Sequence, residues 1–269
     1  MRLIDTHSHL YEPEFDGDRA LCVERAIAAG VNLMLFPAID SESHERMLNT
    51  AREFSKNTRV MMGLHPTSVN DNPKWREELQ LVEHYQYNPP QGIERFCAVG
   101  EIGLDFYWSS DYKQEQIEAF TFQLQLAARL NLPVAIHTRS AWPEMEQILS
   151  REATLAKERG EHLRGVLHAF SEDIECYKRL KRVGNFKFGI GGVVTFKRSL
   201  LAETVAQMEL DDILLETDSP YLTPTPFRGK RNESGYISYI CRKVAELKGV
   251  SEDVVAEKTT RNAEILFGI

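Results

Sequence analysis

Within the first ten residues, MRLIDTHSHL, two imidazoles stand one residue apart directly behind a short apolar run. Residues two apart on a strand share a face, so His7 and His9 can converge on one cation with bonds of about 2.0–2.1 Å. Groups of the same chemistry follow apolar stretches further along: His65 in GLHP, Glu101 in GEIGLD, His137 in PVAIH, His168 in GVLHAF and Asp218 in ETDSP. Each has an ordinary explanation on its own. Asp is a favoured turn residue, Glu often opens a helix, and a histidine behind an apolar run is often a hydrogen-bonded core group. His7, His9, His137 and His168 with two acids are jointly improbable on those terms, and a metal centre supplies one reason for all of them.

Catalytic zinc takes three protein ligands plus water, so this set exceeds what one ion needs. Two ions about 3.5–4 Å apart, bridged by a carboxylate and a hydroxide, would use it whole and provide a nucleophile at neutral pH. Mixed nitrogen and oxygen ligation suits zinc, manganese or iron; magnesium is less expected from ligand type but stays among the candidates. His65 stands before Pro66, so an extended-turn role competes with substrate contact. His44, His84 and His162 fall in helical or loop stretches and are expected at solvated positions.

Such a site needs distant segments brought together. Apolar and β-branched runs predict eight strands, at 2–5, 32–38, 59–65, 96–102, 133–137, 165–170, 186–191 and 212–217. Amphipathic helices alternate with them, most clearly over 111–130, where Ile117, Phe120, Leu124 and Ala127 form one stripe, and over 172–183. A Pro-rich loop, SPYLTPTPFRGKRN, follows the eighth strand, and then helices at 233–248 and 251–266, with Gly249 and Ser251 as C-cap and N-cap. Strict alternation implies parallel strands. Closure into a (β/α)8 TIM barrel is favoured over an open sheet, because only closure sets the first strand beside the eighth and gathers every candidate ligand at one mouth. No linker or repeat divides the chain, so one domain over 1–269 is expected, with C-terminal helices after the eighth strand.

Composition is that of a globular protein, 42% hydrophobic and 27% charged. The four cysteines form no C-x-x-C pair, which fits reduced thiols. With no membrane-length apolar run and no charged leader ahead of the first strand, a cytoplasmic protein without membrane contact or an obligate protein partner is expected. A net charge of −8 argues against a broadly basic surface, although a local cationic patch could still hold phosphate.

DTHSHL, GLHP, GEIGLDFY, IHTR, HAFS and ETDSPYL, in that order with RGKRNE after them, resemble the TatD family of metal-dependent deoxyribonucleases in the amidohydrolase superfamily. The likeness runs from Leu3 to about Phe267. It implies a TIM barrel with two divalent ions, one held by His7, His9, Glu101 and Asp218 and the other by Glu101, His137 and His168. It also implies Glu101 as the bridge and Asp218 as the base that takes the proton from the attacking water. Hydrolysis of DNA phosphodiesters, often from a 3′ end, is the implied activity. Two departures, HAFSE for the family's frequent HCFSG and NES for NEP, change no implied ligand and bear on loop shape.

The residues add their own expectations for DNA, above all for single-stranded ends. Arg139, Arg228, Lys230 and Arg231 could offset phosphate charge, and Tyr107 with Trp108 could stack on a base or pack into the core. An amidohydrolase-type reaction on a small ester or amide is the alternative reading, since fold does not fix substrate. A metal-dependent binding protein without turnover is the third.

Overall fold

The computed structural model describes residues 1–269. Eight strands run in chain order: β1 (Leu3–Asp5), β2 (Val31–Phe36), β3 (Thr58–Val60), β4 (Val99–Asp105), β5 (Val134–Arg139), β6 (Arg164–Leu167), β7 (Asn185–Ile190) and β8 (Ile213–Leu215). The helices are α1 (Arg19–Ala28), α2 (Ser41–Glu53), α3 (Trp75–Tyr87), α4 (Lys113–Leu130), α5 (Trp142–Glu158), α6 (Ile174–Val183), α7 (Leu201–Gln207), α8 (Ile237–Lys248) and α9 (Glu252–Phe267).

All strand pairs are parallel, β1 to β3 in one run and β4 to β8 in another. Backbone hydrogen bonds join the runs at both seams. Cys97 N donates to the Val60 carbonyl at 2.9 Å and Met62 N to that of Ala98 at 3.2 Å, linking β3 to β4. Thr6 N donates to the Leu215 carbonyl at 3.1 Å and His9 N to that of Ser219 at 2.8 Å, linking β8 to β1. The ring is therefore closed, as the placement of the candidate ligands at the strand ends predicts.

Strand parity sorts the core. Met34, Phe36, Val134, Ile136, Leu167, Ile213 and Leu215 face outward into the apolar layer beneath the helices. Ile4, Leu33, Leu35, Ala135, Val166 and Leu214 point into the ring, where Ala263, Leu266 and Phe267 of α9 close the bottom. The apolar floor leaves only the opposite end, at the strand C-termini, for polar groups. Gly249 (φ 64°) caps α8 and the Ser251 side chain caps α9, as predicted.

Several strands are shorter than or displaced from their predicted spans. β1 ends at Asp5 and β3 at Val60, so His7, His9 and His65 lie on the extended segments beyond them. β4 continues to Asp105, which puts Glu101 within the strand and not at its end. The four cysteines are free and buried, and no helix is long and apolar enough to cross a membrane.

Candidate metal centre

Parity carries the apolar interior up into the mouth. Two residues above inward-facing Ala135 is His137, above Val166 is His168, and above Leu214 is Glu216. Asp218 follows at φ 57°, the left-handed region that Asp adopts more readily than most residues, and its backbone N–H donates to the His7 carbonyl at 2.9 Å. His7 Nε2 and Asp218 Oδ1 lie 3.9 Å apart, although 211 positions separate them along the chain (218 − 7).

Glu101 sits at the centre, buried, and its two oxygens face different imidazoles. Oε2 is 3.0 Å from His7 Nε2 and 3.7 Å from His9 Nε2. Oε1 is 3.2 Å from His137 Nδ1, 3.5 Å from His65 Nε2 and 3.9 Å from His168 Nε2. Asp218 Oδ1 faces His9 at 3.5 Å and His168 at 3.6 Å. His7, His9 and Glu101 form one cluster of potential ligands, and His65, Glu101 and His137 another. In a third, His7, His168 and Glu216, only Glu216 was not singled out in the sequence.

The charges reflect this crowding. Burial would raise the Glu101 carboxyl, but His7 and His65 outweigh it and hold it well below the usual carboxylate range. Burial likewise opposes ionisation of Asp218, and His168 and His9 prevail. Burial draws the His168 imidazolium down, yet the Glu216 and Asp218 carboxylates raise it to about 10. In His137 the same contest is won by Asp105 and Glu101, at about 9. Burial and neighbouring His168 lower His7, and burial lowers His65.

One ring is oriented by a detail of proton accounting. The Tyr11 hydroxyl donates its single proton to the Pro37 carbonyl at 2.6 Å, so its 2.9 Å contact with His9 Nδ1 requires Nδ1–H to be the donor. Nε2 is then the His9 nitrogen with a lone pair to offer, and it faces Glu101 and Asp218. Facing two carboxylates, Nε2 is satisfied either by a proton of its own or by a cation standing between them. The buried His7 Nδ1 has no hydrogen-bond partner at all. The donor set therefore fits divalent metal of the nitrogen- and oxygen-loving kind.

Three supporting groups escaped the sequence reading. Asp105 Oδ2 lies 2.9 Å from His137 Nε2, Glu216 Oε1 lies 2.9 Å from His168 Nδ1, and Tyr11 holds His9. Asp105 and Glu216 carry the same signal as the acids that were found, a carboxylate at the end of an apolar run. Tyr11 carries none. Gly189 makes room for Glu216, since an added Cβ there would stand 2.1 Å from Oε2. Below the mouth, Asp5 accepts from Thr217 N at 2.9 Å and from its hydroxyl at 2.6 Å, tying β1 to the segment after β8.

Other expectations are corrected. His44 is buried, not solvated: it lies on the inner face of α2 with its ring 5.7 Å from that of Tyr85. Arg231 is no free phosphate partner, because both its terminal nitrogens bind Asp18, at 2.7 and 2.8 Å. Tyr107 and Trp108 are exposed at 56% and 68%, which removes core packing as their role, and the Arg139 guanidinium lies 3.6 Å from the Tyr107 ring centroid. Arg228 is exposed on the loop after β8.

A closed parallel barrel whose mouth gathers imidazoles and carboxylates is the arrangement of a metal-dependent hydrolase built on a TIM barrel. The family model described as TatD related DNase matches residues 4–268, and the chain belongs to that family. Over 268 residues it is 35% identical to the uncharacterized metal-dependent hydrolase YabD of Bacillus subtilis, covering 99% of each chain. The Escherichia coli hydrolase YcfH, also uncharacterized, is 33% identical over 273 residues, covering 100% of this chain and 97% of its own. The crystal structure of the TatD homologue YjjV from Escherichia coli K12 superposes with a TM-score of 0.87 at 30% identity, covering 100% of this chain and 98% of the other.

Proposed function

We propose that the protein hydrolyses phosphodiester bonds in DNA, shortening single-stranded ends with two divalent ions, zinc, manganese or magnesium, at the mouth of the barrel. The observation that carries this reading is the division of Glu101, one oxygen turned to His7 and His9, the other to His65, His137 and His168. A single ion needs no such divided carboxylate, whereas a pair does. When bound, the pair supplies Lewis acidity and a nucleophilic water near neutral pH.

The chain's own residues do the rest. His7, His9 and Asp218 would hold one ion and His137 and His168 the other, with Glu101 serving both. Asp218, 15% exposed and thus open to the substrate side, takes the proton of the attacking water at a carboxylate oxygen. His65 contacts the substrate next to Glu101. Arg139, laid over Tyr107, neutralises a phosphate, and the exposed Tyr107 and Trp108 offer aromatic faces to unstacked bases, which favours an end over a paired interior. Arg228 contributes a second positive charge on the same face.

Purified protein incubated with a labelled single-stranded oligonucleotide, with and without chelator, tests the reading. Stepwise shortening that chelator abolishes is expected. Intact DNA together with metal-dependent turnover of small esters or amides would replace it by the amidohydrolase-type alternative.

A further inference from the structure

The loops after β7 and β8 form a second polar feature on the catalytic face. They border an open hollow of about 530 Å³ lined by Phe196, Lys197, Arg198, Ser199, Thr225 and Arg228. The two loops are stitched together, Thr225 N donating to Thr195 Oγ1 at 2.9 Å and Thr225 Oγ1 to the Thr195 carbonyl at 3.3 Å. The Arg228 guanidinium lies 3.9 Å from the Phe196 ring centroid, which fixes its plane and leaves its N–H donors unspent.

About half of the arginines and lysines of the fold reach a carboxylate, and Arg231 close by is held by Asp18. Lys197, Arg198, Arg228 and the adjacent Lys230 form no ion pair and no side-chain hydrogen bond. In a chain of net charge −8, three unpaired cations lining one hollow, with Lys230 two positions beyond Arg228, make a local field of the opposite sign.

Ring order gives the patch its meaning. In a closed ring of eight strands β8 stands opposite β4, so this hollow faces the Tyr107, Trp108 and Arg139 platform across the metal centre. We propose that the β7–β8 cavity binds a backbone phosphate of the nucleic-acid strand several nucleotides from the bond that is cut, so that substrate is laid across the mouth between an aromatic rim and a cationic one. This rests on the nuclease reading and adds to it a dependence on strand length. A dinucleotide occupies the centre alone, and a longer strand also fills the hollow.

The test uses metal-loaded protein and a cleavage-resistant phosphorothioate single strand of about twelve nucleotides, within the span of known single-strand sites, with the matching dinucleotide as comparison. The double variant Lys197→Gln/Arg198→Gln removes exposed, unpaired charges and should keep its melting temperature. Binding of the longer strand should weaken about tenfold, and the slope of log affinity against log salt should become shallower by about 0.7, the single-strand value for one lost phosphate contact. Dinucleotide affinity should hold, while Lys258→Gln, on α9 at the far end of the barrel, should leave both ligands unaffected. An unchanged slope and affinity for the longer strand, or an equal loss for both ligands, would overturn the cavity assignment while leaving the nuclease reading intact. Protein that neither binds nor shortens any oligonucleotide would overturn both.

Discussion

Replacing Tyr11 by phenylalanine deletes one oxygen and keeps the ring, which packs edge-on against Phe36 at 5.9 Å. The lost hydroxyl strands two buried groups, the His9 Nδ1–H and the Pro37 carbonyl. A buried donor or acceptor left without a partner costs about 1–3 kcal/mol, so the metal-free fold should lose about 2 kcal/mol if relaxation recovers part of the sum. For a chain of this size that lowers the melting temperature by roughly 4–8 °C. The second consequence is specific to metal. With Nδ1 no longer held as a donor, His9 can turn or take the other tautomer, and loss of such a partner weakens metal affinity by about 10–100-fold. Competition against a chromophoric chelator reads that affinity without any turnover, and a melting curve on the metal-free protein reads the fold. A lower melting temperature with unaltered metal affinity would show that Tyr11 is only a packing residue and that the tautomer argument is wrong.

Asp218→Asn should lower turnover by about 10²-fold or more with the fold kept, as loss of a general base does; near-normal rates on the oligonucleotide would remove Asp218 from that role. Gly189→Ala places a methyl group 2.1 Å from Glu216 Oε2, so overpacking of about 1–3 kcal/mol and weaker metal retention are expected from melting curves and elemental analysis. Dialysis against a strong chelator should abolish hydrolysis, and zinc or manganese should restore it, as the rate after re-addition will tell. At α1, hydrogen bonds from Arg231 hold the Asp18 carboxyl well below its ordinary value of 3.8. A depressed carboxyl stabilises the fold above that ordinary value and loses its contribution as pH falls toward the folded one. Asp18→Asn should therefore be less stable than the parent at neutral pH, with the gap closing in acid, as denaturant melts at several pH values would record.

The barrel was legible because its code is local and repeated. Apolar runs separated by amphipathic stretches identify strand and helix, and the alternation alone makes the sheet parallel. His137 and His168 were legible for a related reason: in each case the end of an apolar run is also the top of a strand. Glu101 was found at a strand end it does not occupy, since the ladder with β5 extends β4 to Asp105, which no pattern in GEIGLDF announces. Glu216 shares the inward parity of Leu214, but the strand was expected to run to 217, and only Asp218 then stood at its end. Tyr11 depends on where the Pro37 carbonyl lies, and Arg231 on where Asp18 lies, pairings made by tertiary packing. His44 was misplaced for the same reason: it lies on the side of α2 that packs inward against Tyr85.

The apolar floor that α9 lays under the ring, through Ala263, Leu266 and Phe267, makes the barrel a cup and not a tunnel. No polymer can be drawn through it from one side to the other. Whatever is cut must leave by the opening through which it came, past the remainder of its own strand, so release of the fragment and advance of the next unit contend for one doorway.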